Sequence, residues 1–161
     1  MCCRQNNYSA RHGALQEALL LVLRLAKQPA EREQPLRQAN ASRVLRHQLR
    51  PADILLRGWA GGRNVAVNVT IAHPLQLAEL PWQVDRVKSF LGRRERLKVD
   101  KYEAACHLEG WGFLPMAFST WGTVGPAAFG LLTRILRRAA ARADADDRSA
   151  RIYELRDTVT Q

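Results

Sequence analysis

The stretch from Asn64 to Ala72, NVAVNVTIA, constrains this chain more than any other. It is rich in Val, Thr and Ile, and apolar residues stand at both odd and even positions. A strand of that kind is buried on both faces, so it belongs at the centre of a sheet with helices on either side. Asn68 and Thr70 interrupt it with a polar pair two residues apart. The run ADILLR, which follows Pro51, is the neighbouring strand, and GWAGGRN is the turn between the two.

The rest of the chain supplies the covering layers. Gly13 to Lys27, GALQEALLLVLRLAK, has strong helix formers and apolar residues on most sides. QPAEREQPLRQANASR, broken by Pro29 and Pro35, is mostly loop with a short strand near Glu33. Leu75 to Arg94 is amphipathic but interrupted at Pro81, and Glu95 to Leu108 reads as a helix that Gly110 and Gly112 stop. Gly112 to Thr120 is another strand. Pro126 stands near the start of a last helix that runs to about Arg142. The predicted order is helix, weak strand, strand, strand, helix, strand, helix, an α/β fold with a small mixed central sheet flanked by helices. Residues 1–11 are expected to be loose, 12–142 to form the domain, and 143–161 to be a charged, frayed tail.

With 161 residues the chain has the length of one domain, and its formal net charge is +10, mostly from arginine. Such a field favours polyanions, either DNA or RNA, with little sequence preference. Arg134, Arg137, Arg138 and Arg142 share the last helix as a candidate phosphate-contacting face, or as an ordinary solvated one. Three cysteines without paired spacing suggest a reducing, intracellular compartment, nucleus or cytoplasm. The run ALLLVLRLA is too short to span a bilayer and Arg24 interrupts it, so no membrane partner is expected. No small-molecule cofactor is expected either.

The polar pair has a chemical reading. Residues i and i+2 of a strand project to one face, so Asn68 and Thr70 point together, and Asp53 can join them from the adjacent strand. Oxygen ligands in that arrangement suit a hard cation such as Mg²⁺. The alternatives stay open: Asp53 as a turn cap or a partner of Arg50, and Asn68 and Thr70 as hydrogen-bonding groups inside a sheet.

Five pieces in order, CR…RHGALQE, RPADILLRGW, AVNVTIAHPL, KVDKYE and GFLPMAFSTWGTVGP, resemble the restriction-endonuclease-like, or PD-(D/E)xK, nuclease superfamily. More closely, they resemble the endonuclease region found C-terminal to reverse transcriptases in animal retroelement-type proteins. The resemblance implies an αβββαβα core. It makes Asp53 the first metal acid, sets Asn68 where relatives carry an acid, and makes the Val69 carbonyl a further metal ligand. Thr70 stands where many members have Lys, which Lys98 or Lys101 of the following helix could replace, and Glu17 matches an acid that can reach the site. The implied cofactor is Mg²⁺ or Mn²⁺, and the implied chemistry is metal-assisted attack of water on a phosphodiester.

Asn68 departs from that pattern. An amide offers a neutral oxygen and no charge, so the resemblance implies a weakly held metal and impaired cleavage. Two readings follow, an impaired endonuclease and a catalytically inactive nucleic-acid-binding or interaction protein. In relatives a Cys/His zinc module ends just before the first helix. Cys2, Cys3 and His12 fall short of the four ligands a structural zinc needs, which suggests a remnant of such a module in a piece of a larger polyprotein.

Overall fold

The computed structural model describes the backbone of residues 3–34, 52–73 and 84–159, and side chains within 9–32, 52–59, 61–73 and 85–145. The elements in chain order are α1 (Cys3–Leu25), β1 (Ala30–Gln34), β2 (Ala52–Ala60), β3 (Arg63–Ala72), α2 (Val84–Leu108), β4 (Gly112–Ser119) and α3 (Pro126–Val159). One mixed sheet has the order β1-β2-β3-β4. β1–β2 and β2–β3 are antiparallel, and β3–β4 is parallel. A parallel pair needs a long crossover, and α2 supplies it.

The β2–β3 hairpin shows how local chemistry sets register. Ala60 stands opposite Arg63, and Gly61 and Gly62 between them have φ of 58° and 77°. Two consecutive positive φ values are the requirement of a type I′ turn, which only glycine meets without strain. The expected turn GWAGGRN is therefore shorter than its sequence, because β2 continues through Trp59, which is buried.

β3 is buried through its middle and divides the core in two. Its odd residues Val65, Val67 and Val69 pack with Ile54, Leu56 and Met116 against Leu19, Leu20 and Leu23 of α1 and Leu131 and Ile135 of α3. Its even residues look the other way. Ala66 packs with Leu55 and Phe113 against Tyr102 and Cys106 of α2, and Ala72 packs with Ala117 against Val87, Phe90 and Leu91. The sheet thus lies between α2 on one face and α1 with α3 on the other.

Three boundaries correct the sequence expectation. Residues 3–11, expected loose, belong to α1, because no Gly or Pro separates Arg4 from His12 to stop the helix. α2 starts ahead of Glu95, at Val84, whereas residues 35–51 and 74–83, which include Pro51 and Pro81, lie outside the described residues. The tail beyond Arg142 continues α3 to Val159, because the segment after Gly130 is again free of breakers and rich in Ala, Arg and Leu. Among the described residues no helix is long and apolar enough to cross a membrane.

Candidate functional site

The paired register of β2 and β3 begins at Ile54 opposite Val67. Beyond that pair, Asp53 turns toward Val69 and α1 rather than toward the α2 face to which Asn68 projects. Here Asp53 closes the fork between the strands. Its Oδ2 accepts a hydrogen bond from the Val69 N–H at 2.6 Å, in the range of a charge-assisted bond. Across the same residue, His12 of α1 donates from Nε2, in the tautomer that protonates it, to the Val69 carbonyl at 3.1 Å. His12 Nε2 lies 3.6 Å from Asp53 Oδ2, and both side chains are about one-fifth exposed. Asp53, Val69 and His12 therefore form a partly accessible polar cluster.

The two polar residues of β3 behave differently. Asn68 is buried and its Oδ1 has no hydrogen-bond partner, and the same holds for the buried hydroxyl of Thr70. Flanked by Val67 and Val69 of the α1–α3 cluster, both residues project to the α2 face. Buried polar atoms are nearly always paired, so two orphans on one strand face need an explanation.

α2 lies over that face with the sequence-predicted lysines. The ammonium groups of Lys98 and Lys101 stand 5.5 Å and 4.9 Å from the centroid of the Tyr102 ring. Tyr102 packs in the cluster of Ala66, two residues before Asn68. Lys98 is half-buried and Lys101 exposed. Glu17 turns elsewhere. It pairs with Arg32 of β1 and remains largely exposed, and the α1 side chain that reaches Asp53 is His12. Of Cys2 and Cys3, the first lies outside the described residues, as does the side chain of the second.

The α3 arginines divide into two kinds. Arg138 donates to Gln28 Oε1 at 3.0 Å and to the Trp59 carbonyl at 2.9 Å, with its guanidinium 4.0 Å from the Trp59 ring centroid. Arg142 donates to the Ala26 carbonyl, just past the end of α1. These two tie α3 to α1 and β2, and are positioned by the fold. Arg134 lies farther from the Trp59 ring, at 6.0 Å, and donates to Gly130 O within its own helix, and Arg137 is exposed. All four are exposed, and among the described residues only the latter pair has no acceptor on another element.

One buried acid escaped the sequence reading. Glu95 of α2 accepts from the Ala127 and Ala128 N–H groups at the start of α3 and from the Ala117 N–H of β4. A carboxylate at a helix N-terminus satisfies orphan donors and complements the dipole. A Cβ at Gly125 would lie 2.4 Å from Glu95 Oε1, so the approach depends on glycine.

Among the described residues no three His, Cys, Asp or Glu side chains converge as metal ligands. The oxygen donors beside His12 are one carboxylate, that of Asp53, and the Val69 carbonyl, which already accepts from His12, and the neutral Asn68 amide projects to the other face. That set does not fit a tightly held divalent cation, which prefers one or two carboxylates with water and substrate oxygens. Compared with family models and with curated proteins, the chain matches none.

Proposed function

We propose that the chain is a retroelement-derived, restriction-endonuclease-like domain that binds nucleic acid through its basic surface and cleaves it poorly or not at all. The observation that carries the reading is the strand fork. Asp53 occupies it beside Val69 and His12, and the neighbouring strand position that the resemblance assigns to an acid holds Asn68, a neutral residue with an unpartnered buried oxygen. The element order, helix, three strands, helix, strand and helix around a mixed sheet, supports the reading. The overall charge of +10 supports a polyanionic partner.

A hydrolytic site of this kind needs an ion that orients water and offsets charge on the phosphorane. Asp53 supplies one negative charge, and Asn68 supplies none, so any Mg²⁺ or Mn²⁺ is held weakly. His12 and the Val69 amide hold the Asp53 carboxylate in place. Lys98 and Lys101 supply positive charge on the covering helix.

Two assays on the natural protein test the reading together, nicking of supercoiled plasmid with Mg²⁺ and then Mn²⁺, and retention of labelled nucleic acid across salt. The expected result is retention that falls steeply with salt, at about −0.9 in log–log slope per phosphate contacted on duplex DNA, with nicking absent or very slow. A flat salt response points instead to an interaction protein. Efficient nicking that survives Asp53→Ala places the active site elsewhere.

A further inference from the structure

The basic residues that bear on binding most directly are on α2. A groove of about 430 Å³ runs between α2 and the start of α3, lined by Lys88, Ser89, Gly92, Arg93, Arg96 and Pro126. Positions 88, 92 and 96 recur at four-residue spacing, and 89 and 93 form the adjoining row, so the lining is one helical stripe. Lys88, Arg93 and Arg96 are exposed, and none forms an ion pair with a described residue. That separates them from Arg138 and Arg142, which are exposed as well but whose guanidinium groups donate to Gln28, the Trp59 carbonyl and the Ala26 carbonyl. The N-terminus of α3 adds no free donor at Ala127 or Ala128, because Glu95 takes both. The attraction for an anion comes from the three cations.

A second, independent feature stands at the same end of the sheet. The N-terminal half of α2 packs on Ala72 and Ala117, close to where the parallel strands β3 and β4 end. There the β4–α3 loop carries Trp121, half exposed. The loop is held in shape by a bridge between Phe118 and Val124 and by Ser119 Oγ, which accepts from the Trp121 and Thr123 N–H groups. His73, just past β3, hydrogen-bonds Thr120 Oγ1 at 2.8 Å and packs edge-on to the Trp121 ring, with 5.6 Å between centroids. The ring thus packs on His73 and is half exposed. Five residues of chain join Trp121 to Pro126 at the groove wall, a reach of at most about 18 Å. In open α/β sheets, ligands gather outside the carboxyl ends of the strands.

We propose that single-stranded nucleic acid crosses this end of the molecule, its phosphates along Lys88, Arg93 and Arg96 and a base stacked on Trp121. The proposal rests on the nucleic-acid reading above and adds the surface and the strand state. A cationic track with an exposed ring beside it is what sequence-tolerant single-strand binding requires, because every base has a face to stack. A paired base has its faces covered by its neighbours in the duplex, so the ring favours the unpaired form. The groove also places binding away from the α3 arginines, which the sequence had singled out.

Fluorescence anisotropy tests it with a labelled 15-mer of thymidine, an RNA of the same length, the corresponding duplex, and phosphatidylserine vesicles as a competing anionic surface. The natural protein is expected to prefer the single strands. The Lys88→Ala/Arg93→Ala/Arg96→Ala variant should lose most affinity and flatten the single-strand salt slope by about 2, from three contacts at roughly 0.7 each. Trp121→Ala should weaken single-strand binding about fivefold or more while leaving the slope unchanged, and Trp121→Phe should keep most of the binding. Arg134→Ala/Arg137→Ala should change little. All the substituted groups are exposed except the flank of Trp121, and the Phe variant controls for that. Unchanged binding in the triple and Trp121 variants, with the natural protein still salt-sensitive, would overturn this surface and leave the nucleic-acid reading intact. Natural protein that holds no oligonucleotide at low salt would overturn that reading as well. Binding to vesicles but not to oligonucleotides would assign the groove to lipid headgroups and overturn the proposal.

Discussion

The two faces of β3 are built from alternate residues of one strand and could hardly differ more. The face toward α1 and α3 carries Val65, Val67 and Val69 in a closed aliphatic cluster, where only about 10 Å³ is left open among Leu19, Leu23, Ile54 and their neighbours. The face toward α2 carries Ala66, Asn68, Thr70 and Ala72, with two polar atoms that no described group satisfies. The first face is arranged for stability. The second retains hydrogen-bonding capacity that no described group meets. Unmet polar groups are costly to stability, and they are tolerated where a site needs them or once did.

Mutations can break that contrast, and the largest effect is expected on the closed face. Ile54→Ala removes a fully buried side chain from a cluster with almost no free volume, and urea unfolding should show a loss of about 2–5 kcal/mol. A loss well under 1 kcal/mol would mean that this face is not the main core.

On the α2 face the sign should reverse. Asn68→Leu keeps the size and removes the unpartnered acceptor, so stability should rise by about 1–3 kcal/mol. Thr70→Val makes the same test at a half-buried position, and its gain should be smaller, about 1 kcal/mol. A clear loss in both would show that these residues are satisfied in solution and would remove the contrast.

The smallest effect near neutral pH is at Cys106, also on the α2 face, where burial first, and then the nearby Glu103 and Glu109, push the thiol up to about 12. The unfolded thiol ionises near ~8.5 while the folded one stays protonated, so its contribution is complete below ~8.5 and is lost as pH rises toward the folded value. Unfolding free energy compared with Cys106→Ala should diverge only above that point, by up to about 1.4 kcal/mol per pH unit. The native thiol should also resist alkylation at neutral pH. Divergence starting below pH 8 would place the thiol in a more polar setting.

Much of this arrangement was legible in the sequence because it is local. NVAVNVTIA announces a strand covered on both faces, and the Gly61–Gly62 pair announces its hairpin. The adjacency of the strands that carry Asp53 and Asn68 follows from those two elements. What stayed hidden depends on partners far along the chain. Glu95 sits in RRERLK and reads as one charge among many, yet it caps a helix that begins some thirty residues later. Arg138 and Arg142 read as a basic face, and their actual acceptors are Gln28, the Trp59 carbonyl and the Ala26 carbonyl. His12 gave no signal beyond its residue type, since its role depends on where α1 crosses β3. The ends of α1 and α3 were missed for a different reason. Their polar outer turns carry no core-facing periodicity, and only the lack of a breaker lets them continue as helix.

The central claim is that one residue, Asn68, separates this fork from a metal-holding site. Calorimetric titration of Mn²⁺ into the natural protein and into Asn68→Asp tests it most directly. The account predicts saturable binding at one site in the variant, little or no heat in the natural protein, and loss of the variant's signal when Asp53→Ala is added. Equal heats from the natural protein and Asn68→Asp, or a signal that survives Asp53→Ala, would contradict it.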